Sequence, residues 1–409
     1  MTAIVTCGEA RQSLSAVRAL GRAHIPVAVG AMMRPNLSMW SRYASSTFIM
    51  EDAHVNAQGF AYSLAEEMRA RYASVALVST DDSYWALSRF RELLPISARR
   101  LLPPHYSVVR SLDHEALHHF AGSLGIPCAE LIRIQKQTPK EELMSRIQGL
   151  KFPLLIRPII PWVEREDGTR KLNQRLVARS LEHLLHMLEE ELLEHGFLIS
   201  AYTSRRAVSY CGVADKGKVL VEGFQERLSE LEPYNEVATL AVTINPISSI
   251  RLHAHKLLDA LHWQGPFKVE FTKDKHGSYR LVSLIGRLWG SLELSARAGL
   301  NIPLICYRLA EGTITKDIIK NAEPHVRMRW LLGDALAKIT NPKSWLWGMT
   351  DWARHITLKD CYAMLSRPKT KTFFDVLDPD DPMPFIFELQ HKTWKRAFGE
   401  KNAFFTHHL

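Results

Sequence analysis

A carboxylate and an arginine lie close together in the sequence, near the ends of two predicted neighbouring strands. The first strand contains Val269-Glu270-Phe271, and a polar turn leads to a second strand that runs into Arg287 and Trp289-Gly290-Ser291. Glu270 could belong to a functional site. Alternatively, it is a strand-end residue paired with a lysine such as Lys268, because buried acids are usually paired.

A second polar cluster, Ser-Thr-Asp-Asp-Ser at residues 79–83, follows a predicted strand at residues 75–78. Ligands of open α/β sheets bind at the carboxyl ends of the strands, so this cluster could face a crevice. It could also cap the next helix, with Asp82 or Ser83 at the N-cap position and the helix starting near Tyr84. The second role is favoured, and the two roles are compatible.

The elements that position these residues begin with a βαβ pattern. Residues 3–7 and 25–29 are predicted strands, and Leu14, Val17 and Leu20 mark one face of the helix between them. This pattern predicts a parallel α/β sheet. No GxGxxG sequence follows the first strand, so a dinucleotide-binding oxidoreductase is a poor fit.

The composition limits the class of protein. With 409 residues the chain is too long for one compact core, so two or three domains are expected. The five cysteines form no CxxC pair, which argues against a zinc site or a disulfide framework and favours a reducing, cytoplasmic location. No apolar run reaches the roughly 20 residues that span a bilayer, and the N-terminus lacks the basic start of a secretory signal. Only the net charge of +9 would favour nucleic acid, and no motif supports that partner.

The sequence from Glu270 to Ser291 resembles the ATP-grasp superfamily, closest to its uncharacterised carboxylate–amine ligases, a carbamoyl-phosphate-synthase-like family. The resemblance rests on Glu270 at the strand end and on the run Gly286-Arg287-Leu288-Trp289-Gly290-Ser291. It extends to the pattern at residues 5–21 and to Asp375-Val376-Leu377-Asp378 near the end of the chain, so it covers almost all of the sequence.

This resemblance implies an α/β ATP-grasp fold in three parts. Residues 1–104 would form a Rossmann-like pre-ATP-grasp domain, and Pro103-Pro104 marks its boundary. Residues 105–310 would form the two-lobed ATP-grasp region. Residues 311–409 would form a C-terminal helical segment rich in aromatic residues, whose tryptophans we expect to serve packing.

The resemblance also implies a chemistry. Enzymes of this family use ATP and Mg²⁺ to turn a carboxylate into an acyl phosphate, which an amine then displaces. The transferred phosphoryl group is stabilised mainly by positioning and charge. In this chain Glu270 would bind the metal and Arg287 would be catalytic, unless Arg287 anchors a carboxylate of the fold. Arg227 resembles an arginine that faces the substrate, or lies on a solvated strand. The nucleotide would be held by His114, Arg157, Ser200 and Tyr202.

The chain departs from the family pattern at several of these positions. His114 stands where the family has a lysine, and its imidazole is at most partly charged at pH 7. Arg157 replaces a second lysine with a longer, forked cation. Ala201 replaces a hinge side chain that accepts hydrogen bonds. Ser283 and Ile285 stand where the family has its second metal-binding glutamate and its metal-binding asparagine.

Two functions therefore compete. The residues of the scaffold are kept while those of the nucleotide and metal site are changed. This contrast predicts an ATP-grasp-like protein that has lost ligation and acts as a non-catalytic partner, scaffold or small-ligand binder without a cofactor. The alternative is an active carboxylate–amine ligase with a rewired site, in which ATP and Mg²⁺ are cofactors. Its partners would be a small carboxylate or amine, or a protein, with no nucleic acid or membrane. The oligomeric state is not predicted.

Overall fold

The computed structural model describes most of the chain, with several gaps. The described residues are 1–135, 138–160, 162–164, 170–172, 176–189, 196–201, 207–231, 237–274, 276–334 and 371–398. The predicted nucleotide-binding residue Tyr202 and the tail residues Trp345, Trp347 and Trp352 lie outside these ranges. Within them, no helix has the length and apolar character that crossing a membrane requires.

The N-terminal part is a parallel sheet with strand order β3-β2-β1-β4, as the βαβ pattern predicts. Its strands are β1 (Thr2–Val5), β2 (Val27–Ala31), β3 (Ala44–Ile49) and β4 (Ala73–Leu77). Its helices are α1 (Arg11–Gly21), α2 (Ala57–Ala70), α3 (Asp81–Arg89), α4 (Ile96–Arg99), α5 (His105–Leu112) and α6 (His114–Ser123).

Helix α3 begins earlier than the sequence pattern suggests. Thr80 is its N-cap, in an extended conformation, and its hydroxyl accepts a hydrogen bond from the Ser83 backbone N–H at 3.3 Å. The prediction of a cap at Asp82 or Ser83 was therefore wrong, because the nearest capping hydroxyl lies before both aspartates. The correction places Asp81 in the first helical turn, where acidic side chains complement the helix dipole.

A second, antiparallel sheet follows, with strand order β5-β10-β6-β9. Its elements are β5 (Ile132–Ile134), α7 (Lys140–Ile147), β6 (Leu154–Pro158), the hairpin β7 (Trp162–Glu164) and β8 (Arg170–Leu172), β9 (Leu176–Ala178), α8 (Leu181–Glu189) and β10 (Phe197–Ala201). We call this unit the small lobe. It has an apolar core of its own, which includes Ile134, Leu143, Leu184 and Phe197.

The third sheet has seven strands in the order β15-β14-β11-β12-β13-β16-β17. Its elements are β11 (Val208–Asp215), β12 (Lys218–Glu230), β13 (Ala238–Thr243), α9 (Ser248–Ala260), β14 (Gly265–Lys273), β15 (Tyr279–Ile285), α10 (Leu292–Arg297), α11 (Ile302–Glu311), β16 (Arg327–Arg329), β17 (Thr372–Phe374) and α12 (Met383–Phe398). All its neighbouring strands are antiparallel except β16 and β17, which are parallel. We call this unit the large lobe.

The parallel sheet and the large lobe share an apolar core. Val5 and Val29 of the parallel sheet belong to one buried cluster with Val213 of β11 and Trp289. Most buried residues of the small lobe form its own core, and Trp162 of β7 joins the core of the other two units. The parallel sheet and the large lobe thus form one packed base, and the small lobe faces this base across a cleft.

Buried ion pairs tie the first helix to the C-terminal segment. Arg18 on α1 is fully buried, and its Nε donates to the Asp381 carboxylate at 2.9 Å. It also donates to the backbone carbonyls of Asp375, Val376 and Asp381. Arg11 pairs with Asp375 and stacks on the buried Trp330 ring, 3.8 Å from its centroid. The tail residues that resemble the ligase family therefore hold the N-terminal sheet in place.

Candidate functional site

A cleft of about 640 Å³ runs between the small lobe and the large lobe, with helix α6 along one side. Four of the residues predicted to bind nucleotide or metal line it: His114, Arg157, Ser200 and Glu270. They come from α6, β6, β10 and β14, so residues 156 positions apart in sequence meet at one site. The fold brings together residues that the sequence could only propose one at a time.

The small-lobe wall follows from strand alternation, because successive side chains point to opposite faces of a sheet. Leu154 and Ile156 on β6 belong to the core of the small lobe, whereas Leu155 and Arg157 line the cleft. Ser200 on β10 pairs directly with Leu155 and joins the same face. Arg157 is only 6% exposed, so its guanidinium acts in a partly dehydrated setting, where charges interact more strongly.

The helical wall carries two histidines one turn apart. Asp113 caps α6, because its carboxylate accepts from the Ala116 backbone N–H at 2.8 Å, and His114 and His118 then share a face. The ring nitrogens of His118 lie 3.2 Å from the Ala129 carbonyl and 2.9 Å from the Val282 carbonyl. Burial lowers the pKa of His118, and the charge of Arg157 adds to this effect, while the two carbonyl contacts oppose it.

Glu270 on the large-lobe wall is held by two neighbours. The Lys268 ammonium lies 2.8 Å from Glu270 Oε1, and the Ser283 hydroxyl donates to Oε2 at 2.8 Å. Ser283 lies directly opposite Glu270 in the β14–β15 ladder. Burial works against ionisation of Glu270, but the charges of Lys268 and Arg227 outweigh it and hold the pKa of this carboxyl well below its usual range. Glu270 is therefore ionised and internally neutralised.

These contacts leave the residues a poor fit to a magnesium ion. Each oxygen of Glu270 already accepts a hydrogen bond from a side chain, and one donor is itself a cation. Ile285, which lies opposite Lys268 in the ladder, brings an apolar side chain where an oxygen ligand would be needed. Among the described residues, no group of three or more histidine, cysteine, aspartate or glutamate side chains is placed to hold a metal.

Arg287, the predicted catalytic residue, is not among the residues that line the cleft. Its Nε lies 2.6 Å from one Asp81 oxygen, and a terminal nitrogen lies 3.2 Å from the other. Such a two-point contact is the strong form of an arginine–carboxylate pair. This contact matches the alternative role considered for Arg287 in the sequence analysis, in which it anchors a carboxylate of the fold. It links the end of β15 to the start of α3.

The cleft is also lined by charged side chains that the sequence analysis did not single out. Lys273 and Arg280 are two of them, and the Arg280 Nε donates to Asp274 at 2.8 Å. Arg227, proposed to face a substrate, also lines the cleft. Alternation along β14 was a usable signal, because Lys268, Glu270 and Thr272 fall on one face. His118 gave no such signal, since its position depends on contacts with distant strands.

Among the described residues that line the cleft, cationic side chains outnumber carboxylates. The four cations are Arg157, Arg227, Lys273 and Arg280, and the three carboxylates are Glu130, Glu270 and Asp274. Lys268 pairs with Glu270 from just outside the lining, and Arg280 pairs with Asp274. This excess of cations is compatible with an anionic ligand.

Comparisons with known proteins bear on the fold. No protein-family model and no curated protein matches this chain. Among solved structures, N5-carboxyaminoimidazole synthetase from Staphylococcus aureus complexed with ADP is 12% identical, with a TM-score of 0.57 over 79% of this chain and 80% of that one. An L-amino acid ligase from Bacillus licheniformis is 12% identical, with a TM-score of 0.56 over 80% and 78%.

A third structure contains a metal-bound nucleotide. The biotin carboxylase domain of 2-oxoglutarate carboxylase from Hydrogenobacter thermophilus, in complex with MgADP and bicarbonate, is 13% identical, with a TM-score of 0.57 over 78% of this chain and 72% of that one. At such identities the similarity shows the fold alone. The chain has an α/β ATP-grasp-like fold with an N-terminal parallel sheet, as predicted from the sequence.

Proposed function

We propose that this protein is a non-catalytic ATP-grasp-like protein that binds a small anionic ligand in the cleft between its lobes. One observation carries the proposal: Lys268 and Ser283 occupy the two oxygens of Glu270, the only predicted metal ligand. A ligase that makes an acyl phosphate needs positioned charge on the transferred phosphoryl group, and magnesium normally supplies much of it. Displacing Lys268 would leave a partly buried ammonium without its partner, which is costly.

The surroundings of Glu270 support the same conclusion. Ala201 at the end of β10 offers no side-chain acceptor for a ribose hydroxyl, and burial lowers the pKa of His118 and so disfavours its charged form. The cleft nevertheless keeps its volume, and cationic side chains outnumber carboxylates among the described residues that line it. Loss of catalysis with retention of a shaped, cationic cleft is expected of a binding protein or of a subunit that responds to a ligand.

Measurements of turnover and binding test this proposal. We expect no ADP release above background when the protein is incubated with ATP, Mg²⁺ and a panel of amino acids, dipeptides and small carboxylates. In titration calorimetry, adding Mg²⁺ should not create a tight ATP site. Steady ADP production that depends on a carboxylate and an amine, or nucleotide binding that appears only with Mg²⁺, would overturn the proposal.

The second candidate is an active carboxylate–amine ligase with a rewired site. The observation in its favour is that His114, Arg157 and Ser200 line the same cleft as Glu270. In this case His114 and Arg157 would hold phosphates and Glu270 would take part in catalysis. Glu270→Gln should then reduce kcat at least a hundredfold, whereas Glu130→Gln, at another carboxylate of the cleft lining, should change it less than threefold. Equal turnover in both variants would eliminate this role of Glu270.

A further inference from the structure

The polar cluster at residues 79–83 lies at the carboxyl edge of the parallel sheet, where the strand order changes direction. From β1 the chain continues to β2 and β3 on one side and returns to β4 on the other side. In open α/β sheets such a switch point leaves a crevice in which ligands bind. The cluster is not among the residues that line the cleft between the lobes, so the crevice is a separate place on the molecule.

Contacts between loops enclose this crevice. The Cys7 thiol, after β1, lies 3.9 Å from the Thr80 hydroxyl, after β4. Glu9 Oε1 accepts hydrogen bonds from the backbone N–H groups of Met32 and Met33, after β2, at 2.9 and 3.2 Å. The loops that follow three neighbouring strands therefore meet at this edge of the sheet.

The loop after β3 completes the enclosure. His54 Nδ1 lies 3.5 Å from Asp82 Oδ2, which is too long for a normal hydrogen bond, and the His54 backbone N–H donates to Asp52 at 2.8 Å. Burial raises the pKa of Glu9, and the charge of Asp52 adds to this rise, although backbone N–H groups oppose it. Glu9, Asp52 and Asp82 thus share one crevice, to which all four strand ends contribute.

Four buried side-chain atoms at this edge have no hydrogen-bond partner within the described part of the chain. They are Glu9 Oε2, Ser38 Oγ, His54 Nδ1 and Asp82 Oδ1. The Ser38 backbone N–H donates to the Gly8 carbonyl, which places Ser38 beside the loop after β1. Ser38 is fully buried and Asp82 is 4% exposed, so bulk water does not satisfy them. Because buried polar groups are normally hydrogen-bonded, this cluster points to a polar ligand.

The charges in the crevice favour a cationic ligand. Carboxylate oxygens only accept hydrogen bonds, so Glu9 and Asp82 need donors. Among the residues that the structure describes, no lysine or arginine pairs with Glu9, Asp52 or Asp82. The nearby Arg287 is bound by Asp81. The N-termini of α1 and α3 add roughly half a positive charge each, which is less than the charge of three carboxylates.

We infer that this crevice binds the protonated amino group of a small organic molecule, with Glu9 and Asp82 as its hydrogen-bond acceptors. An ammonium group carries N–H donors and a positive charge, so it supplies what these carboxylates lack. A metal ion fits less well, because no three of the described histidine, cysteine, aspartate and glutamate side chains are placed to hold one. Ser38 and His54 offer two further polar contacts to the rest of the molecule.

Thermal melting with matched small molecules tests this inference. The probes are glycine and 1,4-diaminobutane, which carry ammonium groups, and 1,4-butanediol, which is neutral. A ligand of the folded state raises the melting temperature, so we expect at least one amine at millimolar concentration to raise it by about 2 °C or more, with no shift from the diol. A shift with glycine alone supports an amino acid as the ligand, and a shift with 1,4-diaminobutane supports a polyamine. No shift with either amine, or an equal shift with the diol, would overturn the inference.

Substitutions that keep the shape of a side chain and remove its charge locate the site. Glu9→Gln and Asp82→Asn should each raise the dissociation constant of the amine, measured by titration calorimetry, by about tenfold or more. Glu51→Gln is the matched control, because Glu51 is an exposed carboxylate on the loop after β3, and it should bind like the parent protein.

Unchanged affinity in both crevice variants, with native melting transitions, would place the amine elsewhere and overturn the inference. If one of the two variants does not fold, the other decides. The melting experiment on the parent protein stands whether or not the variants fold, and none of these outcomes bears on the proposed role of the cleft.

Discussion

Gly286 shows how much depends on one residue of the retained motif. A methyl group at this position would lie 2.4 Å from the Tyr84 ring, closer than any real contact between two carbon atoms. Tyr84 on α3 is 2% exposed and packs in the core shared with the large lobe. The ring therefore has no space to move away, and the glycine lets the end of β15 approach the parallel sheet.

We expect Gly286→Ala to lower the free energy of unfolding by about 1–3 kcal/mol, the usual cost of overpacking a buried site. Gly122 on α6 is the control, because a methyl group there would meet no atom within 4 Å. Gly122→Ala should leave stability unchanged or raise it by up to about 1 kcal/mol. Urea unfolding of both variants measures the difference, and equal midpoints would contradict this account of Gly286.

The resemblance to the ATP-grasp family predicted part of the candidate site. It singled out His114, Arg157, Ser200 and Glu270, which the structure places along one cleft. The rule that buried acids are usually paired suggested Lys268 as a partner of Glu270, and this contact is observed. The Ser283 contact could not be inferred with the same assurance, because it depends on the register between two strands. The ring of His118 contacts a carbonyl group from a loop and another from β15. No local sequence pattern links these segments to α6, so the contacts could not be predicted.

At the scale of elements, the Arg287–Asp81 pair joins two parts of the fold. Arg287 follows β15 of the large lobe, and Asp81 begins α3 of the N-terminal part, 206 residues away in sequence. Both side chains are partly exposed, at 22% and 33%. Solvent therefore weakens the pair, although its two-point geometry favours a measurable interaction.

A double-mutant cycle isolates this contact. We expect Arg287→Ala and Asp81→Ala each to destabilise the protein, and the double variant to be more stable than the sum of the single effects implies, with a coupling energy of about 0.5–1 kcal/mol. The dissociation constant for ATP, measured by titration calorimetry, should stay within threefold of the parent protein's value in all three variants. A tenfold loss of binding in Arg287→Ala alone would instead support its predicted role at the site.

The sequence predicted elements with strong local patterns and missed those made by long-range pairing. Local signals suffice to define α6, His114–Ser123, because Asp113 caps its start and the Gly-Ile-Pro sequence at residues 125–127 follows its end. Strands β16 and β17 have three residues each and pair across a gap of more than forty positions. Such short strands have too few residues to show alternation, so only the completed sheet defines them.

At the scale of the whole molecule, the C-terminal segment packs against the N-terminal domain and stabilises it through buried hydrogen bonds and ion pairs. Asp381 accepts hydrogen bonds from the Arg18 guanidinium, from the Ser41 hydroxyl and from the Arg42 backbone N–H. Asp378 pairs with Arg22, directly after α1, and with Arg297 on α10. Burial opposes ionisation of Asp378, but these two arginines hold its pKa below the usual range. The network thus joins three distant stretches of chain.

Removing one carboxylate of this network should lower the free energy of unfolding, because it leaves a buried arginine without its partner. We expect Asp381→Ala to destabilise the protein by about 3–5 kcal/mol, since Arg18 is fully buried. Asp380→Ala, at the neighbouring exposed side chain, should change stability by less than about 0.5 kcal/mol. Thermal and urea unfolding would measure both, and similar losses in the two variants would show that the segment, not the carboxylate, matters.

The contact between Arg18 and Asp381 also has a consequence for synthesis on the ribosome. These residues are 363 positions apart, and domains are made N-terminal end first at about 5–20 residues per second. Roughly 20 to 70 s therefore separate the appearance of the arginine from that of its carboxylate. During this interval the nascent parallel sheet carries a cation that it cannot yet bury. The part of the molecule that is translated first is thus among the last to be completed, and until then water must solvate its arginine.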